Sequence, residues 1–138
     1  MRLSRKAGYA VRSMLDLALH KGPVTLADIS QWQGVSLSYL EQIFARLRKQ
    51  GLVEGIRGPG GGYRLSRSPD EITVAEIIVT VEGPMIIYQT YGEQPLSKEL
   101  WQRLSQQVHD YLDTITLGDL IRGSEGLEPS RRRSETAA

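Results

Sequence analysis

Five consecutive residues, Gly58-Pro59-Gly60-Gly61-Gly62, restrict this chain more than any other stretch of it. Four glycines and a proline sustain neither helix nor strand, so the run must be a turn. Residues 52–57 before it and 63–66 after it both read as short strands, making the whole a β-hairpin with a long glycine tip. A phosphate-cradling nucleotide loop is also glycine-rich, but it continues into Lys-Ser or Lys-Thr and a helix. Here Tyr63-Arg64-Leu65 follows instead.

The residues leading to the hairpin have a different period. Ala10, Val11, Met14, Leu15, Ala18 and Leu19 recur at helical spacing and predict an amphipathic helix over about residues 5–20, stopped by Lys21-Gly22-Pro23. Thr25, with Asp28 three residues on, opens a second helix that ends near Gly34. A third helix carries Leu40, Ile43, Phe44 and Leu47 on one face and runs to about Gln50, with Gly51 as its stop and either Ser36 or Ser38 as its cap. Three helices followed by a hairpin is the order of a winged helix-turn-helix.

Beyond the hairpin, Thr73 and Glu76 cap a fourth helix with Val74, Ile77, Ile78 and Val81 turned inward. Residues 83–95 hold Gly83, Pro84, Gly92 and Pro95 and read as irregular. A longer helix follows over about residues 96–115, in which Trp101, Leu104, Val108, Tyr111 and Ile115 step by 3, 4, 3 and 4. The second half of the chain is too small to bury such a helix alone, so this heptad seam is expected to be a dimerisation surface. Thr116 and Asp119 start a short last helix closing near Gly123, and the polar remainder, with Arg131-Arg132-Arg133, reads as disordered. The expected fold is mainly α with a small β-hairpin wing. It comprises a winged helix-turn-helix over 1–67, a connecting helix, loop and long dimerisation helix over 68–122, and a tail over 123–138.

Charge separates along the same line. The net charge is only +1, yet residues 1–67 hold 11 Lys/Arg against 4 Asp/Glu (+7), and residues 68–138 hold 6 against 12 (−6). A basic module joined to an acidic one points to a polyanion as partner of the first half. The chain has no cysteine, which removes disulfides, zinc ribbons, thiolate clusters and cysteine nucleophiles together. No apolar run approaches the roughly 20 residues of a membrane span, and no signal-type block follows the charged N-terminus. A soluble, cytoplasmic protein without membrane contact is expected. His20 and His109 lie far apart, no carboxylate–histidine group has metal-ligand spacing, and no serine sits in a nucleophile elbow. The expectation is therefore no enzyme, no metal and no cofactor.

A winged helix-turn-helix places its second motif helix, here the third of the chain, in the major groove. With the apolar face inward, Ser36, Ser38, Tyr39, Gln42, Arg46 and Lys49 face solvent. Glu41 and Gln42 lie in the early turns; a carboxylate accepts from cytosine N4 and Gln pairs with adenine. A capping-box role for Glu41 stands equally open. On the hairpin, Arg57 and Arg64 flank a tip whose glycines, Gly58 and Gly60 among them, let backbone approach a phosphate or a narrow groove. Arg2, Arg5 and Lys6 at the start of the first helix are further backbone candidates.

These residues carry a resemblance. Met1-Arg2-Leu3, Tyr9-Ala10-Val11, Met14-Leu15-Asp16, Leu26-Ala27-Asp28-Ile29-Ser30, Ser36-Leu37-Ser38-Tyr39-Leu40-Glu41-Gln42, Arg46-Leu47-Arg48-Lys49 and Arg57-Gly58-Pro59-Gly60-Gly61-Gly62-Tyr63 are similar to the IscR-like iron–sulfur regulators of the Rrf-two family of bacterial transcription regulators. The likeness is dense to Leu65, weakens across 83–95, and returns in Leu100-Trp101 and Ile115-Thr116-Leu117-Gly118-Asp119-Leu120. It implies a homodimer that binds double-stranded DNA at a pseudo-palindromic operator as a repressor or activator. It implies base contacts at Ser38, Glu41 and Gln42, an interface position at Tyr39, a wing arginine at Arg57 and a minor-groove tip at Pro59. Such proteins hold a [2Fe–2S] cluster with three cysteines and a histidine. Here Pro95 stands where the last cysteine would be and Lys98 where the histidine would be. The function expected is a sequence-specific DNA-binding regulator without a cluster. Two alternatives accompany it: a winged-helix protein-interaction module, and a DNA-binding sensor of a small ligand held by Met85, Ile86, Ile87, Tyr88 and Tyr91.

Overall fold

The computed structural model describes residues 4–87 and 94–123, and within them the helices form where the periodicity places them. Helix α1 is Arg5–Leu19, α2 is Leu26–Gln33 and α3 is Leu37–Lys49. Strands β1 (Val53–Ile56) and β2 (Gly62–Leu65) follow, then a single 3-10 turn at Pro69–Glu71. The chain continues through α4 (Val74–Glu82), α5 (Pro95–Asp113) and α6 (Leu117–Arg122). The tail beyond 123 lies outside the described residues.

Each α3 boundary has a local cause. Ser36 is the N-cap: its Oγ accepts the Tyr39 N–H at 3.2 Å. At the other end Gly51 is left-handed (φ 76°). Its N–H donates to the Arg48 carbonyl at 3.0 Å and the Leu52 N–H to that of Leu47 at 3.0 Å, a Schellman closure. Between these stops Leu40, Ile43, Phe44 and Leu47 are all buried, so the opposite face is left to solvent.

The hairpin is antiparallel, pairing Val53 with Leu65, Glu54 with Arg64, Gly55 with Tyr63 and Ile56 with Gly62. A third segment joins it that the sequence reading did not anticipate. In the α1–α2 connection, Val24 donates its N–H to the Tyr63 carbonyl (2.9 Å) and accepts from the Tyr63 N–H (2.7 Å). The wing is thus anchored to the helical body through backbone, and Tyr63 rests on Phe44 at a centroid distance of 5.0 Å.

The main core crosses the hairpin. Met14 and Leu17 of α1, Ile29 of α2, the four α3 residues, Leu52 and Val53 share it with Ile72, Ile77, Val81 and Leu117 from beyond the hairpin. A smaller cluster of Ala7, Val74 and Ile78, with Val11, Met85, Leu112, Ile115 and Leu120 at its margin, ties α1 to α4 and the end of α5. Asp16 and Ser13 on α1 are buried polar residues, bridged to α2 by the Gln33 amide, which donates to Asp16 Oδ2 at 2.9 Å and Ser13 Oγ at 3.3 Å. Helix α6 is fastened by a capping box between Thr116 and Asp119 and by Arg122, which reaches Asp70 at 2.6 Å and Asp119 at 3.0 Å.

Helix α5 differs from the others in having no buried residue. Pro95 is at its first turn, where a missing N–H costs nothing. The five seam residues divide: Trp101 and Val108 on the helix, and Ile115 just after it, are half-buried against their own chain, whereas Leu104 and Tyr111 are exposed. Leu96 (74% exposed), Leu100 (55%), Leu104 (36%) and Tyr111 (66%) form an apolar stripe at spacings of four and seven that no described residue covers.

Candidate nucleic-acid interface

The solvent face of α3 carries Ser38, Glu41 and Gln42 at i, i+3 and i+4, all exposed and therefore on one side of the helix. With Ser36 as N-cap, the third helical position is Tyr39, so Glu41 lies two positions too far along to close a capping box. The capping alternative for Glu41 is thereby removed; its carboxylate makes no hydrogen bond with any described residue.

Tyr39 is half-buried, edge-on to Tyr9 of α1 with centroids 5.9 Å apart and planes at 88°. Lys6 also comes from α1. It lines, with Tyr39, Gln42, Ile43, Ala45 and Arg46, a shallow hollow of about 330 Å³ beside the exposed face of α3. A cation 36 residues away in sequence is thus brought next to Gln42. Arg46, by contrast, turns its guanidinium onto α4 and donates to the Val81 carbonyl at 3.0 Å. Arg2 lies outside the described residues.

The wing arginines are not equivalent. Arg57 is exposed and makes no ion pair with any described residue. Arg64 faces Glu54 across the hairpin, its Nε donating to Glu54 Oε1 at 2.6 Å. An exposed pair of this kind holds its partners by about 0–1 kcal/mol, so a phosphate can compete for the guanidinium. The tip itself, Gly58, Pro59 and Gly60, is exposed. Part of the glycine run answers to the fold: a Cβ on Gly61 would stand 2.2 Å from the Ile56 carbonyl oxygen, and one on Gly62 2.5 Å from that of Val24. Space at Gly58 and Gly60 is open, and these two hold the left-handed turn that projects Pro59.

An α-helix with an exposed polar face is the kind of element that the major groove, about 12 Å across, admits, and an exposed backbone tip beside an arginine with no ion pair among the described residues suits a phosphate or a narrow minor groove. Of the small-ligand candidates, Met85 packs into the lesser core cluster, Ile86 is 60% exposed, and Tyr88 and Tyr91 lie outside the described residues.

Compared with known proteins, residues 3–123 match the family described as "Rrf2: Iron-dependent Transcriptional regulator". The chain is 47% identical over 147 residues to the HTH-type transcriptional regulator IscR of Aliivibrio salmonicida, covering all of this chain and 88% of that one. Among solved structures, T. potens IscR is similar at TM-score 0.80 and 39% identity, covering 94% of this chain and 93% of its own. CymR, the global cysteine regulator of B. subtilis, is similar at TM-score 0.77 and 41% identity, with coverage of 87% and 95%. No helix among the described residues is long and apolar enough to cross a membrane.

The residues present do not fit a thiolate-held iron centre. The chain has no cysteine. Among the described residues no three His, Cys, Asp or Glu side chains group around a common point. Pro95 offers no donor atom and Lys98 is an exposed cation. His20 Nδ1 donates to the Asp16 carbonyl at 2.6 Å and its ring stacks on Trp32, while His109 is on α5.

Proposed function

The chain belongs to the Rrf2 family of DNA-binding transcription regulators, and from that membership we propose how it reads its operator. Two copies associate through α5 and present two α3 helices to successive major grooves of a pseudo-palindromic site. Ser38, Glu41 and Gln42 read base edges, and Tyr39 and Lys6 hold the adjoining backbone. Arg57 and the Gly58-Pro59-Gly60 tip reach the flanking minor groove or its phosphates, with Arg64 exchanging Glu54 for DNA. The half-sites then lie about one helical turn, ~34 Å, apart or a multiple of it. The protein does this without catalysis and without a resident cluster, in the cytoplasm.

The observation that carries the reading is the exposed polar row of Ser38, Glu41 and Gln42 on a helix whose other face is wholly buried. A dimer is supported by the uncovered apolar stripe of α5, which lies outside the α3 face and the wing. The experiment is selection of bound duplexes from a random library by the purified full chain, followed by titration over salt. Enrichment of a two-fold symmetric sequence, with affinity falling steeply as salt rises, is expected, because basic residues displace counterions from phosphates. A chain that binds no duplex at low salt overturns the reading in favour of a protein-interaction module.

A further inference from the structure

We propose that Arg12 is a DNA-backbone contact: a guanidinium, held outside the recognition helix, that grips a phosphate beside it. The proposal rests on the DNA-binding reading above.

Most described arginines are already engaged. Arg64 meets Glu54, Arg67 meets Glu76, Arg103 meets Glu99, Arg122 meets Asp70 and Asp119, and Arg46 is bound to the Val81 carbonyl. Arg12 is exposed and makes no ion pair with any described residue. It is nevertheless not loose. Its guanidinium carbon sits 4.8 Å from the centroid of the Tyr9 ring, within the range of a cation–π contact. Tyr9 in turn meets Tyr39 edge-on, and Tyr39 adjoins Ser38 in the first turn of α3.

The stack does two things. It restricts a long side chain whose rotamer freedom would otherwise oppose binding. It also leaves donors for an anion, since one ring contact cannot occupy all five N–H donors of a guanidinium, and the planar fork matches two phosphate oxygens. Tyr9 and Tyr39 are the positioning residues, coupling Arg12 to α3 across the α1–α3 contact. Arg5 lies two turns earlier on the same side of α1 and is also exposed, so two cations share that helix face, and the Glu82 carboxylate that Ser4 holds lies at the far, Arg5 end of it. A phosphate contact carries no base information, so Arg12 adds affinity and salt dependence and leaves sequence preference alone.

The test compares wild type, Arg12→Gln and Arg12→Lys on the selected operator and on an unrelated duplex, over a salt series, alongside thermal unfolding. Arg12→Gln is expected to weaken both duplexes by a similar factor, about 5–10-fold near 0.1 M salt, and to lower the salt slope by about one per bound chain. Arg12→Lys should keep the wild-type slope, and both variants should unfold close to wild type. An unchanged slope in Arg12→Gln overturns the proposal while leaving DNA binding intact, as does a loss confined to the operator, which would mean base reading. Failure of wild type to bind either duplex overturns both readings.

Discussion

Glu41 stands exposed in the second turn of α3, a carboxylate with no hydrogen-bond partner among the described residues. On the proposed reading it would face phosphates and be repelled unless it found a donor such as cytosine N4, and so would select by exclusion as much as by attraction. Glu41→Ala is expected to bind a wider set of duplexes with affinity held or raised, measured by repeating the library selection. An unchanged selected sequence would contradict that. The sequence left the role of this residue divided because Ser36 and Ser38 are both plausible caps; only the hydrogen bond from Tyr39 N–H to Ser36 decides between them. The Arg64–Glu54 pair was hidden for a related reason. Cross-strand partners depend on register, and a five-residue glycine-rich tip does not specify one. At Gly62 a methyl group would collide with the Val24 carbonyl, and φ is already 150°. Gly62→Ala is expected to destabilise the fold by about 2 kcal/mol or more, read from denaturant unfolding.

At the scale of elements, helix positions were legible to within a residue or two, because capping residues and apolar periodicity agree at α1 to α4 and α6. The face of α5 was less legible. A 3-4-3-4 step assumes that one partner covers the whole seam, whereas here the helix is shared between its own chain and an open side. Leu100→Glu with Leu104→Glu should therefore yield folded monomers that bind the operator weakly, shown by sedimentation and circular dichroism together. Dimers that persist would place the self-association elsewhere. Val108→Glu, at a half-buried position, should cost stability instead. Helix α6 depends on pH. The Thr116 N–H, aided by the Thr116 hydroxyl and Arg122 against a smaller opposing desolvation, holds the Asp119 carboxyl below its ordinary 3.8, and Asp70 raises Arg122. A lowered folded value means that the stabilisation is complete above 3.8 and is lost as pH falls through the folded value. The thermal midpoints of wild type and Asp119→Asn should accordingly differ at neutral pH and converge as acid takes the pH below 3.8 and through the lowered folded value.

The whole molecule combines a basic first half with a family whose description names iron, in a chain without a thiolate. Anaerobic reconstitution with iron and sulfide is expected to leave the desalted protein colourless and its operator affinity unchanged; a stoichiometric cluster that shifts affinity would overturn this. The basic and acidic halves visible in the sequence suggest two modules, but the core ignores that border. Charge is a surface property, and the apolar residues that cross residue 67 are spaced too far apart to show in any window of sequence. The continuity bears on what can be cut from this protein. Ile72, Ile77, Val81 and Leu117 complete the pocket into which Phe44 and Met14 pack. Four such side chains are worth roughly 6–12 kcal/mol of burial, as much as a small domain's entire margin of roughly 5–15 kcal/mol. The reading head is consequently not a transplantable cassette: a fragment ending at Arg67 would keep every residue proposed to face DNA and lose the shape that presents them.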